Sequence, residues 1–176
     1  MPDFVEGQAE GRRFRVYLQQ RDTSCGPGSF RTAAYYLKGS APTEGWIRDH
    51  SKRNMISPGI LARIEALGLE ARNQTAEIEQ LVPLFRAFGL TAKGDVTSAI
   101  NVQERIRAAS RSRAFIVGVT WLTGGGHWVV VPYVSGNNIV VLDPGSGIEH
   151  ASAFPSYTPS YGSVGDFDGF IMEITA

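Results

Sequence analysis

The sequence predicts an α+β fold in a single domain, with a helical N-terminal lobe over about residues 20–112 packed against an antiparallel β-sheet lobe over about 113–176. Three observations predict it. Apolar residues recur at helical spacing up to about Arg111, and from Ala114 the pattern changes to short extended runs separated by Gly, Asn, Ser and Pro. Charge divides at the same place. All 17 Lys and Arg lie at or before Arg113 with 12 of the 17 acids, so the two parts carry 17 − 12 = +5 and 0 − 5 = −5 although the chain is neutral. Finally, 176 residues with 43% hydrophobic content are enough to bury one sizeable core.

Residues 1–12 are polar and Gly-containing and are expected to form a flexible leader, which leaves 13–176 as the folded domain. Phe14–Leu18 has β-prone residues in alternation and is expected to be a short strand that delivers Gln19. Ser24 can cap a helix that tolerates Pro27 in its first turn, carries Phe30, Ala33, Ala34 and Leu37 as an apolar stripe, and stops at Gly39. A second helix is expected after Thr43 with Trp46 and Ile47. A third opens at Ser57-Pro58 and runs through Ile60, Leu61, Ile64 and Leu67 to Gly68. A fourth spans Thr75 to Gly89 with a kink or interruption at Pro83. Asn101 with Glu104 has the form of a capping box for a fifth, reaching about Arg111. In the second lobe, Phe115–Trp121 reads as a strand, the Gly-rich loop 123–126 leads into a strand from His127 to Val134, and Ser135-Gly136-Asn137-Asn138 turns the chain back into Asn138–Leu142 as a hairpin. The Ser, Pro, Tyr and Gly of 151–165 are expected to loop over the surface before a last strand from Phe170 to Ile174.

Several function classes are excluded or disfavoured by composition. One cysteine cannot form an internal disulfide, so the fold needs no oxidising compartment. The start of the chain has no basic segment followed by an apolar run, which argues against a secretory signal, and no stretch approaches the length of a membrane span. The arginines are scattered along helices and not gathered into a basic run with interleaved aromatics, which disfavours a nucleic-acid site. A soluble protein is expected.

The chemistry is concentrated in three short segments. Cys25 stands in Ser24-Cys25-Gly26-Pro27-Gly28 at the expected start of a helix, where the positive end of the helix dipole favours the thiolate. Free cysteines are usually small buried hydrophobes, but this context is too polar and too rich in glycine for an ordinary core position. His127 follows Gly124-Gly125-Gly126 and precedes Trp128-Val129-Val130-Val131, which places it at the mouth of a buried strand. A histidine beside an apolar strand is more often structural than catalytic; the preceding glycines shift the balance, because they clear space for a substrate backbone. His50 and His150 lie in polar segments and are expected to be solvated. Asp143 ends the strand paired with the one His127 begins, so it can orient the ring through its second nitrogen. An aspartate before Pro-Gly is also a common turn residue. The three residues together have the layout of a Cys-His-Asp nucleophilic site.

The six-residue interval from Gln19 to Cys25, the Cys-Gly at a helix start, and the later Gly-His-Trp and Asp-Pro resemble papain-like cysteine peptidases. The resemblance is to the compact bacterial branch, which includes leader peptidases of bacteriocin exporters and papain-fold effector and toxin domains. It implies a helical lobe and a sheet lobe with the active site in the cleft between them. It also implies that Gln19 donates its side-chain amide to an oxyanion together with the Cys25 amide. Gln20, one residue out of register, is the fallback. Plant and lysosomal members have Asn in the orienting position, a second Cys and a Trp soon after the nucleophile, and disulfides; this chain has Asp143, Phe30 and a single cysteine.

The resulting expectation is a peptidase that cleaves a protein or peptide substrate through an acyl-enzyme intermediate, without metal or cofactor. Gly125, Gly126 and Trp121 are expected at the substrate edge, with Trp128 a further guess. A glutamine deamidase or an acyltransferase would use the same triad, and an inactive binding module is the remaining alternative. Only about a dozen residues precede the first expected strand, so no inhibitory propeptide is expected. A module of this kind suits a bacterial toxin or effector, with a cognate immunity protein as partner and delivery into a target cell, or an ordinary cytoplasmic peptidase. No nucleic-acid or membrane partner is expected.

Overall fold

The computed structural model of the chain describes residues 3–20, 25–51 and 81–176, with the backbone alone over 48–51. In chain order the elements are β1 (Phe4–Ala9), β2 (Arg12–Tyr17), α1 (Cys25–Lys38), α2 (Glu44–Ser51), a helical segment over 81–87, β3 (Thr91–Val96), α3 (Ala99–Ile106), β4 (Arg113–Trp121), β5 (Gly126–Ser135), β6 (Asn138–Asp143), β7 (Gly147–Ala151), β8 (Ser156–Tyr157) and β9 (Gly165–Thr175). The expected cap Ser24, the expected third helix and the first part of the fourth lie outside the described residues.

Six strands form the main path of an antiparallel sheet in the order β3-β9-β4-β5-β6-β7, and β8 pairs with β9 as its seventh strand. Both faces of this sheet are covered, which explains why β5 reads as a continuous apolar run. Trp128 and Val130 share one core with Phe30, Ala33 and Ala34 of α1 and with Phe85. Val129 and Val131 share the opposite core with Val102 and Ile106 of α3 and with Phe115 and Val117 of β4. Each such aliphatic or aromatic side chain contributes about 1.5–3 kcal/mol by leaving water.

Helix α1 follows its sequence signals closely. Pro27 lies in the first turn, Phe30 stacks on Phe85 with ring centroids 4.1 Å apart, and Gly39 terminates the helix at φ +73° with its amide donating to the Tyr35 carbonyl at 2.7 Å. Two side chains fasten α1 to its neighbours. Ser29 Oγ donates to the Trp128 carbonyl at 3.1 Å, and Thr32 Oγ1 accepts the Tyr17 amide at 2.9 Å. Thr43 Oγ1 accepts the Trp46 amide at 3.1 Å at the start of α2, whose Ile47 is fully buried.

Four elements differ from the sequence expectation. Residues 4–9, expected within a flexible leader, are a strand. Glu10 and Gly11, both at positive φ, make a two-residue turn that returns the chain into β2 with Ala9 opposite Arg12. The hairpin is fixed because Phe14 and Val16 join the α1 core, because Gly7 leaves room for Ile148 of β7, and because Arg31 pairs with Asp3 at 2.7 Å. β3 brings a strand from before residue 113 into the sheet. It lies at an edge with Lys93 and Asp95 among its residues, and only Ala92 and Val96 are buried, so its alternation is faint. α3 starts earlier than expected and stops earlier. Ser98, in extended conformation, is its cap and accepts the Asn101 amide at 3.2 Å, and the helix ends at Ile106. The stretch 151–165, expected as surface loop, contains the end of β7 and all of β8. Among the described residues, no helix is long and apolar enough to cross a membrane.

Candidate active site

Cys25 is the first residue of α1 and is 6% exposed, at the end of the α1 core nearest the mouth of β5. The helix start is held close to the β6–β7 turn because Gly28 has no side chain. A Cβ there would lie 2.8 Å from Pro144 Cβ and 3.7 Å from Gln19 Cα. The Gln19 backbone N–H in turn donates to the Pro144 carbonyl at 2.8 Å. Gln19, the first turn of α1 and the Asp143-Pro144 corner therefore meet at one point. The backbone N–H of the alternative, Gln20, donates to Glu44 Oε2 at 3.1 Å.

His127, the second residue of β5, links the two sides of the site. Its Nε2 lies 2.6 Å from Asp143 Oδ1, and the Cys25 thiol is close enough to its ring to contribute to the raising of its pKa. With Nε2 committed to Asp143, Nδ1 is the nitrogen left to face the sulfur. Burial by itself would push the imidazole toward neutrality, but its bond to Asp143, the nearby Cys25 and the charges of both prevail, and its pKa is pushed up to about 9. The face of Trp121 lies against the imidazole, with centroids 5.6 Å apart at 28°, which suits a cation.

Asp143 is completely buried and its carboxylate is saturated with donors. Oδ1 accepts from His127 and from the Gly145 amide at 2.7 Å; Oδ2 accepts from the Tyr157 hydroxyl at 2.5 Å and from the Tyr161 hydroxyl at 2.9 Å. Burial raises its pKa, yet the bond to His127, the imidazolium charge, the Tyr157 hydroxyl and the Gly145 amide outweigh that and hold the carboxyl below its ordinary value. Both tyrosines are pushed up, by burial first and then by the Asp143 charge, so both remain donors. Neither tyrosine was expected at the site. They fall in the segment expected to be surface loop, and the available signal was the short Ser156-Tyr157 run between prolines, too brief to mark a strand.

The structure therefore gathers Cys25, His127 and Asp143 at one place and sets Gln19 beside them. Trp121 closes one side of the imidazole and Tyr161 another, its ring edge-on to His127 at 6.4 Å. Gly124 and Gly125 occupy the connection between β4 and β5 at φ +97° and +80°, with open space around each. Their conformation by itself demands glycine, which is a different reason from the cleared substrate path expected from sequence. Gly126 starts β5 opposite Thr120, and Trp128 is buried against Phe170 in the core. His150 is exposed, with Asn138 as its neighbour, and the His50 side chain lies outside the described residues. Among the described residues, no group of three His, Cys, Asp or Glu side chains could hold a metal ion.

No family model matches the sequence, and no curated protein matches it. Solved structures do. Over 98% of its length the chain is similar to 99% of a double glycine motif protease from an AMS/PCAT transporter, solved in complex with the leader peptide, at 18% identity and a TM-score of 0.54. Over 91% of its length it is similar to 97% of the peptidase domain of Streptococcus ComA, a bifunctional ABC transporter of a quorum-sensing pathway, at 17% identity and a TM-score of 0.56. At such identities the likeness is one of fold, and it extends over nearly the whole of each chain: this protein has the papain-like fold of those peptidase domains.

Proposed function

We propose that this chain is a papain-like cysteine peptidase acting on a peptide or protein substrate. The observation that carries the reading is the His127 ring bonded to the buried Asp143 carboxylate at 2.6 Å, with the Cys25 thiol near enough to help raise the ring's pKa. The shared fold with peptidase domains, one of them bound to a leader peptide, supports a peptide as the substrate class.

In this reading His127 takes the thiol proton and the Cys25 sulfur attacks the carbonyl carbon of the scissile amide. The charge that develops on the carbonyl oxygen is met by the Gln19 side-chain amide and the Cys25 backbone N–H. Collapse of the tetrahedral intermediate breaks the C–N bond, and the imidazolium gives its proton to the departing nitrogen. Water then loses a proton to His127 and attacks the thioester, which releases the acid and restores the thiol. Asp143 takes no proton at any step; it fixes the ring orientation and stabilises the imidazolium. Gly145, Tyr157 and Tyr161 fix Asp143.

The test is digestion of a proteome-derived peptide library with the protein and with Cys25→Ala, read by mass spectrometry. New N-termini that require Cys25 are the expected result. Mass gains of about one dalton at glutamine without any cut would assign a deamidase instead, and a thiol-dependent group addition an acyltransferase.

A further inference from the structure

A groove of about 360 Å³ lies at the far end of α1 from Cys25, lined by Arg12, Arg13 and Arg15 of β2, by Tyr35 and Tyr36 of the helix, and by Arg111. Tyr36 is three turns along α1 from Cys25, about 16 Å at helical rise, so the groove stands apart from the active site. Segments almost a hundred residues apart supply these arginines, which is why they look scattered in the sequence. Among the described residues no Asp or Glu lines the groove, and Arg15 alone of the four is paired with an acid, Glu6 at 2.6 Å. Arg12 lies over the Tyr133 ring at 3.9 Å, with its Nη1 buried and without a hydrogen-bond partner. Arg13 and Arg111 are exposed. Burial raises the pKa of the Tyr36 phenol, and the charges of Arg12 and Arg111 oppose it, which sets both guanidiniums near that ring.

The β1–β2 hairpin adds a second feature to the same place. Ala9 stands opposite Arg12 across the two-residue turn, and at the other end the Leu18 amide donates to the Asp3 carbonyl at 2.8 Å, so the even-numbered residues of β2 are bonded to β1. Arg13, Arg15 and Tyr17 therefore turn their backbone N–H and C=O groups away from β1. The helix fills this edge at Tyr17, whose N–H reaches Thr32 Oγ1 at 2.9 Å. At Arg13, where the groove opens, the backbone groups meet no partner among the described residues. Arg12 and Arg13 project to opposite faces of β2, one on each side of this open position.

We propose that the groove binds an extended acidic segment of a partner protein, which adds as a short strand along β2 and places adjacent Asp or Glu side chains on Arg13 and on Arg12 with Arg111. Guanidinium groups held close together without counter-charge accept carboxylates in forked pairs, and the open backbone at Arg13 supplies the main-chain bonds of strand addition. A bare phosphate or a nucleic acid would use the guanidiniums but leave the Arg13 carbonyl without a donor. The proposal does not depend on the peptidase reading, and Cys25→Ala protein serves for its test.

Fluorescence anisotropy of a labelled octapeptide, Glu-Glu flanked on each side by three Thr, tests it. The expected result is saturable binding that weakens as salt is raised, with no binding of the Lys-Lys counterpart. Arg13→Gln/Arg111→Gln, which alters two exposed side chains, should weaken it by about tenfold or more. N-methylation of every second peptide amide should abolish binding in one of its two registers and spare it in the other, because only alternate N–H groups of a strand face its neighbour. Failure of the Glu-Glu peptide to bind, or binding that the double variant leaves unchanged, overturns the proposal. Equal binding of both methylated registers reduces the groove to a general anion site and overturns the strand addition. Tighter binding of a single-stranded RNA at the same arginines assigns the groove to nucleic acid and overturns it as well.

Discussion

Tyr157 donates its hydroxyl to Asp143 Oδ2 at 2.5 Å while His127 holds the other oxygen of the same carboxylate at 2.6 Å. The imidazolium and the phenol thus draw on one buried negative charge, and each moderates the pull on the other.

Tyr157→Phe should show this division. Loss of a hydrogen bond to a charged group costs about 1.5–3 kcal/mol of stability, measurable by chemical denaturation. The carboxylate, with one donor fewer, should attract the imidazolium more strongly and raise the His127 pKa further, as read by NMR titration of the ring. A ring titration unchanged in the variant would reduce Tyr157 to packing.

Asp143→Ala should act in the opposite sense. With the carboxylate gone, the burial of His127 is opposed chiefly by Cys25, and the imidazole should titrate at lower pH. An ion pair with one member removed leaves an uncompensated buried charge, so stability should fall by about 3–5 kcal/mol. Peptidase turnover should fall by on the order of a thousandfold or more, since the ring loses its fixed orientation.

Stability should decrease across a defined alkaline window. His127 has its folded-state pKa raised to about 9, from an unfolded value of about 6.5. Below about pH 6.5 both states hold the proton and its stabilisation is complete; between there and about pH 9 only the folded state holds it, so stability falls as pH rises. The difference amounts to on the order of 3 kcal/mol. Denaturation midpoints of wild type and His127→Gln, followed from pH 6 to pH 10, should converge as this contribution is lost.

Alkylation tests the thiol directly. Iodoacetamide should modify Cys25 near pH 7 faster than it modifies free cysteine, and His127→Ala should slow the reaction by about tenfold or more. Equal rates in both proteins would leave Cys25 an ordinary core cysteine.

Gly28→Ala should separate geometry from stability. The added methyl group would meet Pro144 at 2.8 Å and force the start of α1 away from the Asp143-Pro144 corner. A displacement of a few tenths of an ångström costs about 1–3 kcal/mol in folding, but it moves the sulfur relative to the imidazole. Turnover should therefore fall by on the order of a hundredfold, more than the stability change accounts for.

What sequence could show follows from how local each signal is. Helix α1, strands β4 to β6 and the β5–β6 hairpin are written in apolar periodicity and in Gly and Asn turns, and that hairpin already places His127 near Asp143. β1 and β3 escaped because strands with one neighbour at a sheet edge carry charge and glycine, as in Lys93, Gly94 and Asp95. Tyr157 and Tyr161 escaped for another reason. Their worth lies in reaching a carboxylate contributed by a different strand, and no neighbouring residue in the chain records that.

Strand β9 lies between β3 and β4, in the interior of the sheet, although it follows every other described strand along the chain. Without it β4 lacks one flank, and the sheet that carries the histidine has a gap between β3 and β4. Closing the sheet around β4 therefore waits on a segment about fifty residues further along the chain, a long-range pairing that sets the pace at which the two cores can form.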